Sequence, residues 1–406
     1  MPSAHLRWII LFIALFVMMI ISIYQYSWSL FAYSLNDELN WTLPEIGLIF
    51  SIFAYTATFI QPFSGIIADS YGPRKVAVLA SFLVGLGFFL SSYASSVWQL
   101  GLLYGMGGLG VGILYGVSTA SAIKWFPDRR GLAVGLIVFG FGAGTAIFNW
   151  IIQGLLESVG LRNTFTYVGV CMLGILVPLS FFYKYPATSR HTLTAKDHEE
   201  KIDTINYKPH EMFKTYQWFL IYFCFTFTVS IVLMFGAQMK MLAKEFNIPA
   251  NHFSVLLIIF PLGNGLSRLV SGAISDKIGR EKTMVIFFAL LGLSIICLVS
   301  LGNIPAMFVV FVFLSALLGG SPFALYPATI GDYYGARYST TNYGITYTAK
   351  AWAGLISGWL SAYLVTQFGS YKLPLVIVAV CSLIAALLSY PKWMRAPVKR
   401  KEISGA

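Results

Sequence analysis

A chain of 406 residues with 57% hydrophobic and only 11% charged side chains is too apolar for a soluble domain wrapped around one core. In a soluble protein a formal charge of +11 would suggest nucleic acid, but here the basic residues crowd into short loops between long apolar runs. That pattern excludes a nucleic-acid partner and marks a polytopic protein whose surroundings are the lipid bilayer.

Apolar runs of spanning length fall at roughly 8–33, 44–68, 76–96, 98–123, 131–157, 164–183, 216–239, 252–275, 283–302, 304–330, 340–367 and 373–391, which predicts twelve helices. The first run exceeds a signal-peptide core and carries no small-residue cleavage site, so it is expected to be retained as a helix. Of the Lys and Arg residues, Arg162, Lys240, Lys244 and Lys372 fall on one face of the membrane and Arg268 and Lys350 within it. The rest fall on the opposite face, which the positive-inside rule makes cytoplasmic, together with both termini. Cys171, Cys224, Cys297 and Cys381 stand singly in apolar runs, so neither a disulfide framework nor a metal site is expected, and no cofactor is implied.

In chain order, helix 1 carries the polar and aromatic cluster Tyr24-Gln25-Tyr26-Ser27-Trp28, of which Gln25 and Tyr26 are expected to face the interior; helix-to-helix glue is the alternative. Helix 2 ends with Gly65, Asp69, Gly72 and Arg74. Helix 8 ends with Gly272, Asp276, Lys277, Gly279 and Arg280, so the two Gly, Asp, Gly triplets recur at one fixed spacing. An internal duplication of this kind is a transporter signature. An acid at the negative end of a helix dipole needs an answering charge or helix N-terminus. Asp69 and Asp276 are therefore expected to hold polar contacts across the cytoplasmic mouth, with the glycines allowing close packing and the tight turn.

The glycines of helices 4 and 5, among them Gly108, Gly110, Gly112, Gly140, Gly142 and Gly144, lie inside membrane runs, where close packing is a better reading than a nucleotide loop. A long polar stretch with His191, His198 and His210 then joins the halves as a solvated linker. The organisation expected is an N-terminal six-helix bundle at 1–185, a cytoplasmic linker at 186–214 and a C-terminal six-helix bundle at 215–406. Prolines and glycines in helix 10 predict a bent element.

Arg268 stands eight residues before Asp276, about 12 Å into a core about 30 Å thick. A charge there costs at least roughly 2.5–3.5 kcal/mol, so it should face a watery or protein-lined cavity. A structural arginine bonded to backbone carbonyls is the plainer reading. Lys350 lies about 15 Å into helix 11, near the same depth. The repeat places Gln61 opposite Arg268 and Phe141 roughly opposite Lys350. None of the 16 acids falls in mid-membrane, so the missing counter-charge is expected to be a small organic anion brought in as substrate.

The loop motif, present twice, resembles that of the major facilitator superfamily, although Ser70 stands where the first copy usually has a basic residue. Within it, Gln25-Tyr26-Ser27-Trp28, Gln61-Pro62, Trp125-Phe126-Pro127-Asp128, the stretch from Arg268 to Arg280 and Asn342-Tyr343-Gly344 through Lys350 are similar to the oxalate:formate antiporter family of small-carboxylate carriers, which includes monocarboxylate transporter-like members. The resemblance implies an all-α membrane fold of two pseudo-symmetric six-helix bundles. It implies that Arg268 and Lys350 bind carboxylates while Gln25, Tyr26 and Tyr115 line the pocket. At the positions of the family's aromatic box this chain has Phe141 and Phe323 for tyrosine and Tyr347 for tryptophan, which fits a carboxylate somewhat larger than oxalate.

The function expected is secondary active transport of small organic carboxylates by alternating access, as exchange of an oxalate-like dicarboxylate for a monocarboxylate, by a monomer in the cell membrane. Proton-coupled symport of lactate or pyruvate is the alternative, with Lys350 as the one group able to carry the proton. A membrane-bound receptor or enzyme is a third class, for which the chain offers neither a large soluble domain nor a nucleophile-and-base constellation.

Overall fold

Backbone in hydrocarbon must satisfy its own N–H and C=O groups, and the described residues of the chain do so with helices and no strands. The computed structural model describes residues 4–126, 130–186, 206–335 and 338–397, with the side-chain positions of 4, 65, 69, 70, 130, 131, 339 and 340 outside that set.

The helices are taken here as α1 (His5–Leu39), α2 (43–71), α3 (Pro73–Ser91), α4 (Val97–Trp125), α5 (132–159), α6 (161–180), α7 (Tyr216–Glu245), α8 (Ala250–Ile278), α9 (Arg280–Leu301), α10 (Pro305–Tyr334), α11 (339–368) and α12 (Lys372–Leu388). Among the described residues nine stretches are long and apolar enough to cross a membrane on length and composition alone. One of the nine is the continuous 132–180, which Gly160 (φ 77°, ψ 175°) divides into α5 and α6. With that division, and with the interrupted α11 and the shorter α12, the helices correspond one to one with the twelve apolar runs.

Within the first half α3 packs on α4 and α6, and α2 on α4; within the second α9 packs on α10 and α12, and α8 on α10. Between halves the closest pairings are α1 with α7, α2 with α11 and α5 with α8. Adding six to each label turns α2–α11 into α8–α5, which is the pseudo-symmetry expected from the duplicated motif. Gly72 (φ 86°, ψ 141°) and Gly279 (φ 96°, ψ 155°) share the same left-handed backbone at the two repeat turns, a region that favours glycine.

Two expectations about the motif are corrected. Asp276 does not reach across to the other half: Arg280, four residues on, meets its carboxylate at 2.6 Å and that of Asp332 on α10 at 3.1 Å. A fork with several donors can answer two acids of its own half at once, so no partner across the mouth is needed. Gly272 is no packing position either, since a Cβ there would meet nothing within 4 Å. Asp69 and Gly65 of the first copy lie among the side-chain positions not described.

The linker expectation falls partly on 187–205, outside the described residues. Beyond it the chain is pinned to the second half, where Tyr207 N–H donates to the Tyr334 carbonyl (2.9 Å) and Asn342 Nδ2 to the Tyr207 carbonyl (3.1 Å). His210 is exposed in a short helix, Pro209–Met212. As its prolines suggested, α10 is interrupted at Gly320 and Ser321.

The halves close on each other at the end opposite the motifs. There α11 contains a π turn, Ile356–Leu360, whose freed carbonyls at Ser357 and Gly358 accept from Gln238 Nε2 of α7 at 2.8 and 3.1 Å. Gln238 Nε2 also reaches Ser361 Oγ at 2.6 Å. On the other side Ser51 Oγ of α2 donates to the Gly354 carbonyl (3.2 Å) and accepts from Trp359 N–H (3.2 Å). This seam depends on backbone approach, because a Cβ on Gly47 would overlap the Gly358 carbonyl. Gly47→Ala is therefore expected to destabilise the protein by roughly 1–3 kcal/mol, as overpacking does. Gly154→Ala, at a position with nothing within 4 Å, should not lower stability. Thermal melting in detergent compares the two.

Candidate functional site

Helices α5, α8, α10 and α11 bring both cations to one place. Arg268 and Lys350 are each 4% exposed. The Arg268 guanidinium lies 4.7 Å from the centre of the Phe323 ring, and Lys350 Nζ lies 5.5 Å from that of Tyr347 and 5.7 Å from that of Phe141. Aromatic faces attract a cation without bringing a counter-charge. The same rings form a continuous cage. Phe141 meets Tyr26 at 5.9 Å and Tyr115 at 5.2 Å, and Tyr347 meets Tyr115 at 6.1 Å and Phe323 at 6.3 Å, centre to centre.

Arg268 is partly answered by protein dipoles. Nη1 donates to the Val138 carbonyl of α5, while Nη2 reaches Asn264 Oδ1 at 3.3 Å and the Tyr26 hydroxyl at 3.5 Å. The Tyr26 hydroxyl in turn donates to Asn264 Oδ1 at 3.1 Å. The structural-arginine reading thus accounts for some of these donors, but Nε is buried with no partner. Lys350 Nζ has the Tyr347 hydroxyl at 3.4 Å. Among the described residues neither cation makes an ion pair with an Asp or Glu. The surroundings of Arg268 are protein-lined.

The sequence-derived residues separate into groups. Tyr26, Tyr115, Phe141, Phe323 and Tyr347 gather around Arg268 and Lys350. Gln25 is fully buried one residue from Tyr26, and neither of its amide atoms finds a hydrogen bond. Of the rest of its cluster, Tyr24 and Trp28 turn the other way: the Tyr24 hydroxyl donates to the Val84 carbonyl at 2.6 Å, and both rings pack on Tyr104 in the first half. These two are the glue, and Tyr26 is the inward residue.

A cavity of about 520 Å³ lies between the halves on the motif side, walled by Gln61, Tyr115, Phe323 and Tyr347, with Lys124 and Thr341 towards the motif end. The cations stand behind this aromatic wall and do not line the cavity themselves. Two partners escaped sequence reasoning. Asn264 precedes Arg268 by one helical turn, a spacing that puts both on one face and could have flagged it. The Val138 carbonyl carries no side-chain signal.

Among the described residues, nine membrane-spanning candidates in an all-helical arrangement, closed at one end and hollow at the other around a buried site, have the build of a multi-pass membrane transporter. A sequence model of the Major Facilitator Superfamily matches residues 8–239 and again 218–406, and the chain belongs to that superfamily. It is 32% identical to the oxalate:formate antiporter of Oxalobacter formigenes over 97% of this chain and 94% of the relative. Monocarboxylate transporter 9 of Gallus gallus is 38% identical over 117 residues, 29% of this chain and 23% of the relative. The solved structure of the nucleoside transporter NupG superposes with a TM-score of 0.73 at 14% identity, covering 95% of this chain and 98% of that one, which is a likeness of fold.

Asn264→Ala removes the oxygen shared by Tyr26 and Arg268. It is expected to weaken binding of any carboxylate that stabilises the wild type by roughly tenfold, the scale of one hydrogen bond to a charged group. A ligand-concentration series of melting temperatures gives the comparison.

Proposed function

We propose that this transporter exchanges small organic carboxylates by alternating access, taking an oxalate-like dicarboxylate on one passage and a monocarboxylate on the other. The observation that carries the reading is the pair Arg268 and Lys350, two buried cations on different helices with aromatic faces and dipoles around them and, among the described residues, no acid in an ion pair with either. A bound dianion neutralises the pair and lets the halves rock; an empty site leaves two charges desolvated and resists occlusion. The similarity to the oxalate:formate antiporter over nearly the whole chain supports the same class of cargo. Tyr26, Tyr115, Phe141, Phe323 and Tyr347 then shape the pocket, with Gln25 and Gln61 as polar lining.

On this reading the bundles 1–185 and 215–406 move as bodies about a linker at 186–214, and the bias of Lys and Arg puts both termini in the cytoplasm. The carrier works as a monomer in the cell membrane. The paired motifs, Gly65, Asp69, Gly72 and Arg74 with Gly272, Asp276, Lys277, Gly279 and Arg280, govern the cytoplasmic mouth by fixing the ends of α2 and α8 within their own halves. Proton-coupled monocarboxylate symport is the second reading, supported by the partial similarity to monocarboxylate transporter 9.

Counterflow in proteoliposomes separates these outcomes. Arg268→Gln and Lys350→Gln carriers, folded and reconstituted, are expected to lose uptake of labelled dicarboxylate into vesicles preloaded with carboxylate, because the remaining cation leaves one carboxylate unpaired in a dry site. Near-normal counterflow in either variant would refute the site; uptake that needs a pH gradient and no internal carboxylate would favour symport. Tyr347→Trp restores bulk to the cage and is expected to shift relative uptake towards the shortest dicarboxylate in a chain-length series.

A further inference from the structure

Helices α9 and α12 are tightly joined in their middle. The Ser382 hydroxyl donates to the Phe288 carbonyl at 2.8 Å, and a Cβ on Gly292 would overlap Leu383 and the Ala379 carbonyl. Less than a turn nearer the motif end than Gly292 and Leu383, Ala289 of α9 and Ala386 of α12 border a slot of about 330 Å³ also lined by Val285, Leu383, Leu387, Tyr390 and Trp393. The slot is apolar along its length. Its motif-end rim is aromatic, with Tyr390 and Trp393 paired at 6.3 Å and held where α12 gives way to a turn by Tyr216, whose hydroxyl donates to the Trp393 carbonyl at 3.2 Å.

Basic residues surround that rim. Lys282 precedes Val285 by three residues and Ala289 by seven, which places it above them on one face of α9. Lys392 and Arg395 are exposed in the turn that follows α12. None of the three makes an ion pair with a described residue, and the acid next to Lys282 is engaged elsewhere, with Glu281 Oε1 accepting from the Tyr333 hydroxyl at 2.5 Å. An apolar slot running into the membrane below tyrosine and tryptophan, and three unanswered positive charges above them, match the two ends of one amphiphile.

We propose that this slot is a binding site for an anionic phospholipid, which lays an acyl chain between Ala289 and Ala386 and sets its headgroup phosphate among Lys282, Lys392 and Arg395. A zwitterionic lipid offers the same chain but carries a cation that opposes those three charges. The site is separate from the carboxylate cage and stands or falls independently of the transported substrate.

Native mass spectrometry of the full chain in neutral detergent tests it, with phosphatidylglycerol and phosphatidylcholine of identical acyl chains as probes. The wild type is expected to retain one phosphatidylglycerol in preference to phosphatidylcholine. Lys282→Gln/Lys392→Gln/Arg395→Gln should bind phosphatidylglycerol at least about tenfold more weakly, while its melting temperature in phosphatidylcholine is unchanged. Ala386→Phe, which fills the slot and keeps the charges, should also lose the tightly held lipid, and Lys392→Arg should keep it. Equal retention of the two lipids by the wild type, or undiminished phosphatidylglycerol retention by the triple or the Ala386→Phe protein, would overturn the proposal.

Discussion

The structure turns on the cost of keeping positive charge inside hydrocarbon. Each of Arg268 and Lys350 opposes membrane insertion by a few kcal/mol, and the protein offsets this with dipoles and ring faces instead of an acid. An Asp beside either residue would have neutralised it more simply. It would also have left nothing for an anion to do. Partial compensation by the Val138 carbonyl, Asn264, Tyr26 and the aromatic rings keeps the empty site tolerable while preserving its demand for negative charge.

That demand explains the division of labour between the two ends of the molecule. Tyr115, Phe323 and Tyr347 hold the cations back from the cavity on the motif side, so a carboxylate arriving there meets aromatic surface first. On the opposite side glycine contacts bring α2 onto α11 at Gly47 and Gly358, and at the level of the cage they bring α5 onto α8, where Gly142 backs against Gly265. Loss of side chains at those points lets backbones approach closely enough for dispersion to hold two bundles together in a medium that supplies no hydrophobic drive between them. The Arg280, Asp276 and Asp332 cluster adds rigidity within one half and spans no gap between halves.

Much of this was legible in the sequence because a membrane simplifies the code. Hydropathy located the helices, the recurrence of Asp69 and Gly72 as Asp276 and Gly279 revealed the duplication, and the rarity of charge singled out Arg268 and Lys350. Tyr26, Tyr115, Phe141, Phe323 and Tyr347, named from the family resemblance, gather around the two cations. Partner identity was harder to read. The Val138 carbonyl meets Arg268 through tertiary approach, and nothing in composition says that Arg280 will bridge both Asp276 and Asp332. The open side of Gly272 was misread for the same reason, since a glycine's neighbours belong to other helices. The break between α5 and α6, read from the sequence as a gap between two apolar runs, is made in the structure by the backbone of Gly160 within one continuous helix.

The π turn of α11 shows where the two bundles can come apart. Its surplus residue leaves two carbonyls that one amide, that of Gln238, holds while also reaching the Ser361 hydroxyl, whereas the α2 side offers a single hydroxyl, that of Ser51, with two longer hydrogen bonds. A joint loaded from both sides fails at the weaker. The weaker side of this joint is the one between α2 and α11, while α11 is fastened to α7. Lys350, a turn and a half before the π turn on α11, shares the second half with Arg268, Phe323 and Tyr347, so a parting there would separate those four from the first-half rings of the cage, Tyr26, Tyr115 and Phe141.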